Sequence, residues 1–186
     1  MITYLGTPTI ETDRLILRKL KLSDAQSVFD NWLSDERVTD NLIRGAHKTV
    51  FETIERVTVI VGGYDSPEYC YWGIELKGSG ELIGAIDFFN LNTTTENCDV
   101  GYALGYKWWN QGYGTEALRA VVEFGFERMN IHKISAAHNL DNPASGKVMR
   151  KIGMVQEGTI RHMIRNAKNQ YKDCAVYGIL QAEYMK

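Results

Sequence analysis

The stretch that decides the fold is "KWWNQGYGTEALRAVVEFGF", residues 107–126, in which two glycines stand directly ahead of a helix-forming run. Gly112 and Gly114 carry no side chain that would block an approaching group, and they tolerate unusual backbone angles. The first turn of a helix has unpaired N–H groups and the positive end of the helix dipole, which together attract phosphate. The glycines therefore indicate a phosphate-binding turn. From these residues alone, a capped turn that binds nothing is the alternative.

Two common phosphate loops do not fit this stretch. A Walker A loop ends in Gly-Lys-Ser/Thr, whereas this loop reads Gly-Tyr-Gly-Thr over residues 112–115. Residues 112–117 match the Rossmann pattern G-x-G-x-x-A literally, but "KWWNQ" separates them from the preceding strand. The acidic residue expected roughly 20 positions later is missing, because "KISAAH" ends in His138. A dinucleotide-binding domain therefore stays only as a third interpretation.

The apolar pattern of the rest of the chain predicts one α/β domain over residues 1–186. Its predicted order is β-α-α-β-β-β-α-β-α-β-β. Strand-like runs at 68–76, 82–91 and 97–106 are joined by short Gly- and Asn-rich connections, which favour antiparallel hairpins. Such an order predicts a mixed, mostly antiparallel sheet of about seven strands flanked by helices, and not a uniform βαβ alternation.

Capping residues mark two of the predicted helices. Ser23, followed by Gln26 at the capping-box position, is predicted to begin the first helix. Asn142, followed by Pro143 at the first helical position, is predicted to begin the last long one.

Composition excludes several classes of function. The net charge is −2 with a pI near 6.1, so no general basic surface indicates a nucleic-acid partner. No apolar run approaches the roughly 18 residues of a membrane span, and no signal peptide is evident. Cys70, Cys98 and Cys174 are scattered, which is typical of thiols in a reducing cytosol and predicts a cytoplasmic protein. Neither cysteine nor histidine spacing suggests a metal site.

Three segments together resemble one known family. "CDVGYALGYKWWNQGYGTEALRAVVEFGF" (98–126) resembles the acetyl-CoA-binding segment of the GNAT superfamily of N-acetyltransferases, and "NLDNPASGKVMRKIGMVQEGTIRH" (139–162) is similar to its Asn-x-x-Ser helix and following strand. With the opening "TDRLILRKLKLSDA" (12–25), the resemblance is to the RimJ/RimL-like branch. One position departs from the family pattern: the usual Gln or Arg at the head of the motif is Trp109.

The resemblance implies the GNAT fold and a reaction in which a primary amine attacks the thioester of acetyl-CoA directly, without a metal. The acceptor would be a protein N-terminus or a small-molecule amine, and the branch is compatible with a homodimer. The alternative is an acetyl-CoA-binding regulatory module with little catalysis.

The resemblance also implies roles for particular residues. The backbone at Leu104 would pair with the pantetheine arm, and Asn142 would bond the same arm. Ser145 would protonate the departing thiolate, although both Asn142 and Ser145 also suit simple helix capping. Asp99 is the candidate general base or amine-orienting carboxylate; a solvated strand charge is the other interpretation. The pyrophosphate would be held by Gln111, Gly112, Tyr113, Gly114 and Thr115.

Overall fold

The computed structural model describes residues 1–184 and is organised around one sheet of eight strands in the order β1-β2-β3-β4-β5-β6-β8-β7. Every neighbouring pair is antiparallel except β5 and β6. The predicted mixed, mostly antiparallel sheet is confirmed, and the additional strand is the two-residue β1. The strands are β1 (Ile10–Glu11), β2 (Leu15–Arg18), β3 (Cys70–Leu76), β4 (Leu82–Asn92), β5 (Asn97–Leu104), β6 (Lys133–Asn139), β7 (Val155–Arg165) and β8 (Tyr171–Leu180).

Helices cover both faces of the sheet. The long ones lie where the sequence predicts them, whereas α2 and α6 are single turns without a sequence prediction. The helices are α1 (Ala25–Val28, continued by a π-helical turn, Phe29–Leu33), α2 (Glu36–Thr39), α3 (Val50–Gly63), α4 (Tyr113–Glu127), α5 (Pro143–Lys151) and α6 (Gln181–Tyr184).

The two predicted caps have different outcomes. Ser23 does not begin the first helix, because a 3-10 turn over Leu22–Asp24 precedes α1 and the backbone N–H of Lys21 donates to Asp24 Oδ2 at 2.7 Å. The prediction for Asn142 is confirmed: it is the N-cap of α5, and its Oδ1 accepts from the backbone N–H of Ser145 at 3.4 Å.

Two apolar clusters lie on opposite faces of the sheet. On one face α4 packs against β5, with Val100, Tyr102 and Leu104 contributing from the strand. On the other face, Trp32 and the helix α3 pack near the middle of β4. Because side chains alternate along a strand, Asp99, Gly101 and Ala103 of β5 face this second side.

The strands β5 and β6 separate part of the way along their length. They pair only at Asn97↔Lys133, Cys98↔Ile134 and Asp99↔Ser135, whereas β5 stays paired with β4 as far as Leu104. Beyond Asp99, the edge of β5 that faces β6 therefore has no strand partner, and a slot opens between the two strands.

Candidate active site

A cavity of about 820 Å³ occupies this slot and continues to the face of the sheet that carries α1 and α3. It has two parts, which are named here by their position. The slot lies between β5, β6 and the N-terminal ends of α4 and α5, with Leu104, Gly112, Gly114, Thr115, Asn139, Asn142 and Ser145 among its lining residues. The chamber lies under α1 and α3, with Trp32, His47, Arg56, Tyr71, Asp87, Phe89 and Asp99 among its lining residues.

The glycine loop forms the N-terminal end of α4 as predicted. Gly112 is its N-cap with φ of +86°, a left-handed conformation that favours glycine. Gly114 is buried, and a Cβ at this position would lie 3.2 Å from Leu104 Cδ1. With Thr115, both glycines line the slot. The free N–H groups of the helix end therefore border the space between β5 and α5.

Gln111 and Tyr113 direct their side chains into the loop and not into the slot. Gln111 Nε2 donates to the carbonyl of Lys107 at 2.8 Å. The Tyr113 ring lies under the guanidinium of Arg14, 4.4 Å from its centroid. From these two positions, only the backbone is oriented to bind phosphate.

Trp109, the departure from the family pattern, holds the loop against the sheet. Its Nε1 donates to the carbonyl of Leu104 at 2.7 Å, and its ring packs against Tyr106 with centroids 5.1 Å apart. A side chain that usually contacts pyrophosphate is thus replaced by one that fixes the end of β5.

The slot is lined by polar groups that could bind a ligand. Gly105 N–H bonds β4 at Ile83, so strand alternation turns the backbone groups of Tyr102 and Leu104 away from β4 and toward the slot. The side-chain oxygen of Asn139 is buried, faces the cavity and has no partner within residues 1–184. Unpaired buried acceptors are costly, so a ligand donor there is stabilising.

Two positive side chains also line the cavity. Lys147 and Lys151, one helical turn apart on α5, both line the cavity opposite the glycine loop. The sequence analysis missed them. Their spacing in "SGKVMRKIG" is the signal that could have identified them.

Ser145 forms a hydroxyl pair with Tyr102. The two oxygens are 2.7 Å apart, and either hydroxyl can be the donor. The single hydrogen of Tyr102 can point either to Ser145 Oγ or to the Ser145 carbonyl, which lies 3.1 Å from Tyr102 Oη. Burial raises the pKa of Tyr102 to about 12, and the bond to Ser145 opposes that rise. The tyrosine therefore stays protonated and can resupply a proton to the serine. Alternation along β5 places Tyr102 toward α4, but the sequence does not show that it reaches α5.

The predicted base, Asp99, lines the chamber but is already engaged. Its Oδ2 accepts a hydrogen bond from Asn90 Nδ2 at 2.8 Å. This bond fixes the orientation of the carboxylate and leaves Oδ1 free to accept.

A second carboxylate, Asp87, was missed in the sequence. It lies on β4 opposite Gly101, where a Cβ would come within 3.1 Å of Asp87 Oδ1, so glycine leaves room for it. Burial raises the pKa of Asp87 to about 6, and the charge of Arg56 opposes the rise. The lone acidic residue of "LIGAIDFFNL" is the available signal, since isolated carboxylates are rarely buried without a role.

Within residues 1–184, no group of three or more His, Cys, Asp or Glu side chains is arranged to hold a metal ion. None of the helices in the described part of the chain is long and apolar enough to cross a membrane.

Known proteins are similar to this chain in sequence. The model of the acetyltransferase (GNAT) domain family matches residues 14–155. The uncharacterised N-acetyltransferase YoaA of Bacillus subtilis (strain 168) is 31% identical over 94% of this chain and 97% of its own length. The [ribosomal protein uS5]-alanine N-acetyltransferase of Escherichia coli (strain K12) is 27% identical over 80% and 79%.

Solved structures agree with these sequence matches. A GNAT-family acetyltransferase from Bacillus anthracis superposes with a TM-score of 0.84 at 30% identity, covering 95% of this chain and 100% of that one. The ribosomal-protein-S5-alanine acetyltransferase from Vibrio fischeri shares the fold with a TM-score of 0.82 at 20% identity, covering 95% and 98%.

The class of protein is an acetyltransferase. Two features agree with the sequence matches: β5 separates from β6, and a helix that begins at a glycine borders the slot between them. The chain belongs to the GNAT family, whose members here are N-acetyltransferases.

Proposed function

We propose that this protein transfers the acetyl group of acetyl-CoA to a primary amine by direct attack on the thioester, and that it belongs to the RimJ/RimL-like branch. The observation that carries the proposal is the separation of β5 from β6 after Asp99, directly beside the glycine loop. One continuous cavity then joins a slot suited to a phosphate-bearing thioester with a chamber that contains carboxylates. Acetyl-CoA supplies the activated acetyl group when it is bound.

Binding rests chiefly on the backbone. The backbone N–H groups at Gly112 to Thr115 would hold the pyrophosphate, and Lys147 and Lys151 would add positive charge. The edge of β5 that faces the slot would bond the pantetheine arm as an added strand does, through the backbone of Tyr102 and the N–H of Leu104, since the Leu104 carbonyl already accepts from Trp109. Asn142 uses its oxygen to cap α5, so its amide nitrogen is the group left for the arm.

Asp87 is the better placed general base. An acceptor amine enters protonated and must lose a proton before its nitrogen forms the C–N bond. A carboxylate with a pKa of about 6 is ionised at neutral pH, and it is more basic than an exposed aspartate. Asp99 lies on β5 two residues before Gly101, the residue that pairs with Asp87. Together with Asn90, whose amide donates to it, Asp99 orients the amine.

Ser145 supplies the proton to sulfur. As the C–S bond breaks, the hydroxyl of Ser145 donates to the departing thiolate, and Tyr102 returns a proton across the 2.7 Å contact. The bonds and protons balance: an ammonium acceptor loses two protons, one to solvent before attack and one to Asp87 as the amide forms, while sulfur loses the acetyl group and gains one proton. Transfer of the proton from Asp87 through solvent to Tyr102 then restores both residues.

Calorimetric titration with acetyl-CoA and separately with NADH tests the proposal, followed by mass spectrometry of a mixture of amines incubated with acetyl-CoA. We expect micromolar binding of acetyl-CoA, no response to NADH, and amine-dependent release of CoA. Tight acetyl-CoA binding without acetylation of any amine would favour the regulatory module, and binding of NADH alone would favour a dinucleotide domain.

A cytoplasmic location is part of the same proposal. Cys70, Cys98 and Cys174 are free and buried, which suits a compartment that keeps thiols reduced.

A further inference from the structure

The chamber contains one cation that the mechanism above does not use. Arg56 lies on the face of α3 that also carries the buried Thr53 and Ile60, and its side chain lines the chamber. The arginines that form ion pairs within residues 1–184 are Arg14, Arg18 and Arg37. Arg56 is only partly exposed and is not among them. A partly desolvated guanidinium without an anionic partner is suited to bind an anion from solution.

The surroundings of Arg56 leave it as the main positive group of the chamber. Burial lowers the pKa of His47, and its Nδ1 lies 2.8 Å from Thr53 Oγ1, so this ring is neutral and structurally bonded. Arg44 is exposed at the rim. On the opposite wall stands Asp87, whose carboxylate is close enough for the charge of Arg56 to act on it but forms no ion pair with it.

The chamber therefore has a binding site for an anion at Arg56 and a binding site for a cation at Asp87, on separate walls. A ligand that carries both an ammonium group and an anionic group satisfies both sites at once. A polyamine, by contrast, would place a second positive charge beside Arg56, and a plain alkylamine would leave the guanidinium unpaired.

The outer side of the chamber is bridged by the chain itself. At the tip of the β7–β8 hairpin, Lys168 Nζ bonds Asp40 Oδ2 at 2.7 Å. A Cβ on Gly45 would lie 3.0 Å from Ala167 Cβ, so the hairpin tip contacts the loop that follows α2. This contact restricts the entry of an extended polypeptide and favours a small acceptor.

We propose that the acceptor is a small primary amine bearing an anionic group, foremost a carboxylate, which Arg56 binds while Asp87 receives the amine. The inference rests on the proposed acetyl transfer and narrows its substrate class. Free α-amino acids have this chemistry, and aminoalkyl phosphates share it. The aromatic walls formed by Trp32, Tyr71 and Phe89 indicate room for an apolar side chain beside the charged groups.

The test uses matched acceptors and two substitutions. Free amino acids are compared with their carboxamides, and phosphoethanolamine with ethanolamine, by rates of acetylation with saturating acetyl-CoA. The variant is Arg56→Gln, with Arg128→Gln on the exposed end of α4 as a control that removes the same charge elsewhere. Calorimetry of the same acids and amides with the protein–CoA complex reports binding independently of turnover.

We expect at least a tenfold higher kcat/KM for the anionic member of a pair, since a charge-assisted bond to an anion is worth about that factor or more. At pH 8, where Asp87 is ionised with or without Arg56, Arg56→Gln should abolish this preference by raising KM for the acid much more than KM for the amide, while Arg128→Gln retains it. The amide's amine is the weaker base and is more often neutral, so basicity alone would predict the reverse preference. Comparison of the rates for the amino acids with the rate for phosphoethanolamine shows whether a carboxylate or a phosphate is preferred.

Equal rates for acid and amide in the unmodified protein would overturn the proposal, whether or not Arg56→Gln folds. Faster acetylation of a peptide N-terminus than of any small anionic amine would also overturn it. Arg56-dependent binding of an acid, without acetylation of any amine in the test, would support the anion site while removing the proposed function. Acetylation of the amides or of ethanolamine, with no binding or acetylation of any acid, would overturn this inference alone and leave the proposed function standing.

Discussion

At the scale of single residues, the most informative is Asp87, a carboxylate placed in an apolar strand without a hydrogen-bond donor. Its pKa of about 6 predicts that kcat/KM rises with pH through that value and then levels, because only the ionised form accepts a proton. Asp87→Asn should lower kcat by about 10²- to 10⁴-fold and remove this limb of the profile. Steady-state kinetics between pH 5 and 8 measures both effects.

Asp99→Asn is the matched control on the neighbouring strand. If Asp99 only orients the amine, this variant keeps the limb near pH 6 and loses less activity. A profile altered by Asp99→Asn and unaffected by Asp87→Asn would return the role of base to the residue that the sequence first indicated.

Asp87→Asn should also stabilise the folded protein at neutral pH. Because the folded-state pKa of Asp87 is raised above its unfolded value, its favourable contribution is fully present below about pH 4 and is lost as pH rises through about 6. Above that range, burying the charged form is unfavourable by an amount on the order of 1–3 kcal/mol. Chemical denaturation at pH 8 should show Asp87→Asn more stable than the parent protein, with the difference vanishing at pH 4.

The pair formed by Ser145 and Tyr102 gives a second prediction at this scale. Ser145→Ala should reduce kcat about 10²-fold with little change in acetyl-CoA affinity, because the proton donor is lost while the backbone contacts remain. If the two hydroxyls act as one unit, Tyr102→Phe and the double variant should fall to a similar level. Additive losses would show that Tyr102 acts only through packing, and full activity of Ser145→Ala would assign the serine to the α5 helix cap.

At the scale of elements, the N-terminal end of α4 depends on space that a single methyl group would fill. In Gly114→Ala, the new Cβ would lie 3.2 Å from Leu104 Cδ1 and 3.9 Å from Val148 Cγ2, inside the slot. The gain in helix propensity of about 1 kcal/mol offsets the crowding, so stability should change little. Affinity for acetyl-CoA should fall at least about tenfold, which amounts to about 1.4 kcal/mol of lost contacts.

Gly62→Ala in α3 is the control for this prediction. No heavy atom lies within 4 Å of its added Cβ, so the variant gains helix propensity without touching the slot. Thermal unfolding and calorimetric titration of both variants separate the two effects. Unchanged acetyl-CoA affinity in Gly114→Ala would show that the cofactor does not enter between Leu104 and α5.

The elements also show where sequence patterns were sufficient. Alternation and short turns predicted the three hairpin-linked strands, because antiparallel pairing is a local property of the chain. The cap at Asn142 followed from local chemistry as well. The prediction for Ser23 was wrong because Asp24, one residue later, also has a side-chain oxygen that can accept from a backbone N–H. That carboxylate accepts from Lys21 and closes a 3-10 turn.

At the scale of the whole molecule, the fold and the glycine loop could be predicted, whereas the composition of the chamber could not. The slot is built from two stretches, residues 97–126 and 133–151, each of which has a recognisable local pattern. Asp87 and Arg56 meet across the chamber from β4 and α3, and their proximity depends on how α3 packs on the sheet. No spacing in the sequence encodes a contact of that kind.

Charge distribution is the last property that emerges only at this scale. The net charge is −2, yet Lys147 and Lys151 line the slot where an anionic ligand would bind. Exposed charges act through solvent, so acetyl-CoA affinity should decline as ionic strength rises from 0.05 to about 0.5 M. Replacing both lysines by methionine should weaken binding about 3- to 10-fold at low salt and much less at high salt. Lys77→Met, beside Glu11 at the far edge of the sheet, should leave the salt dependence unchanged. Equal salt dependence in all three proteins would show that backbone N–H groups of the glycine loop bind the phosphates without help from α5.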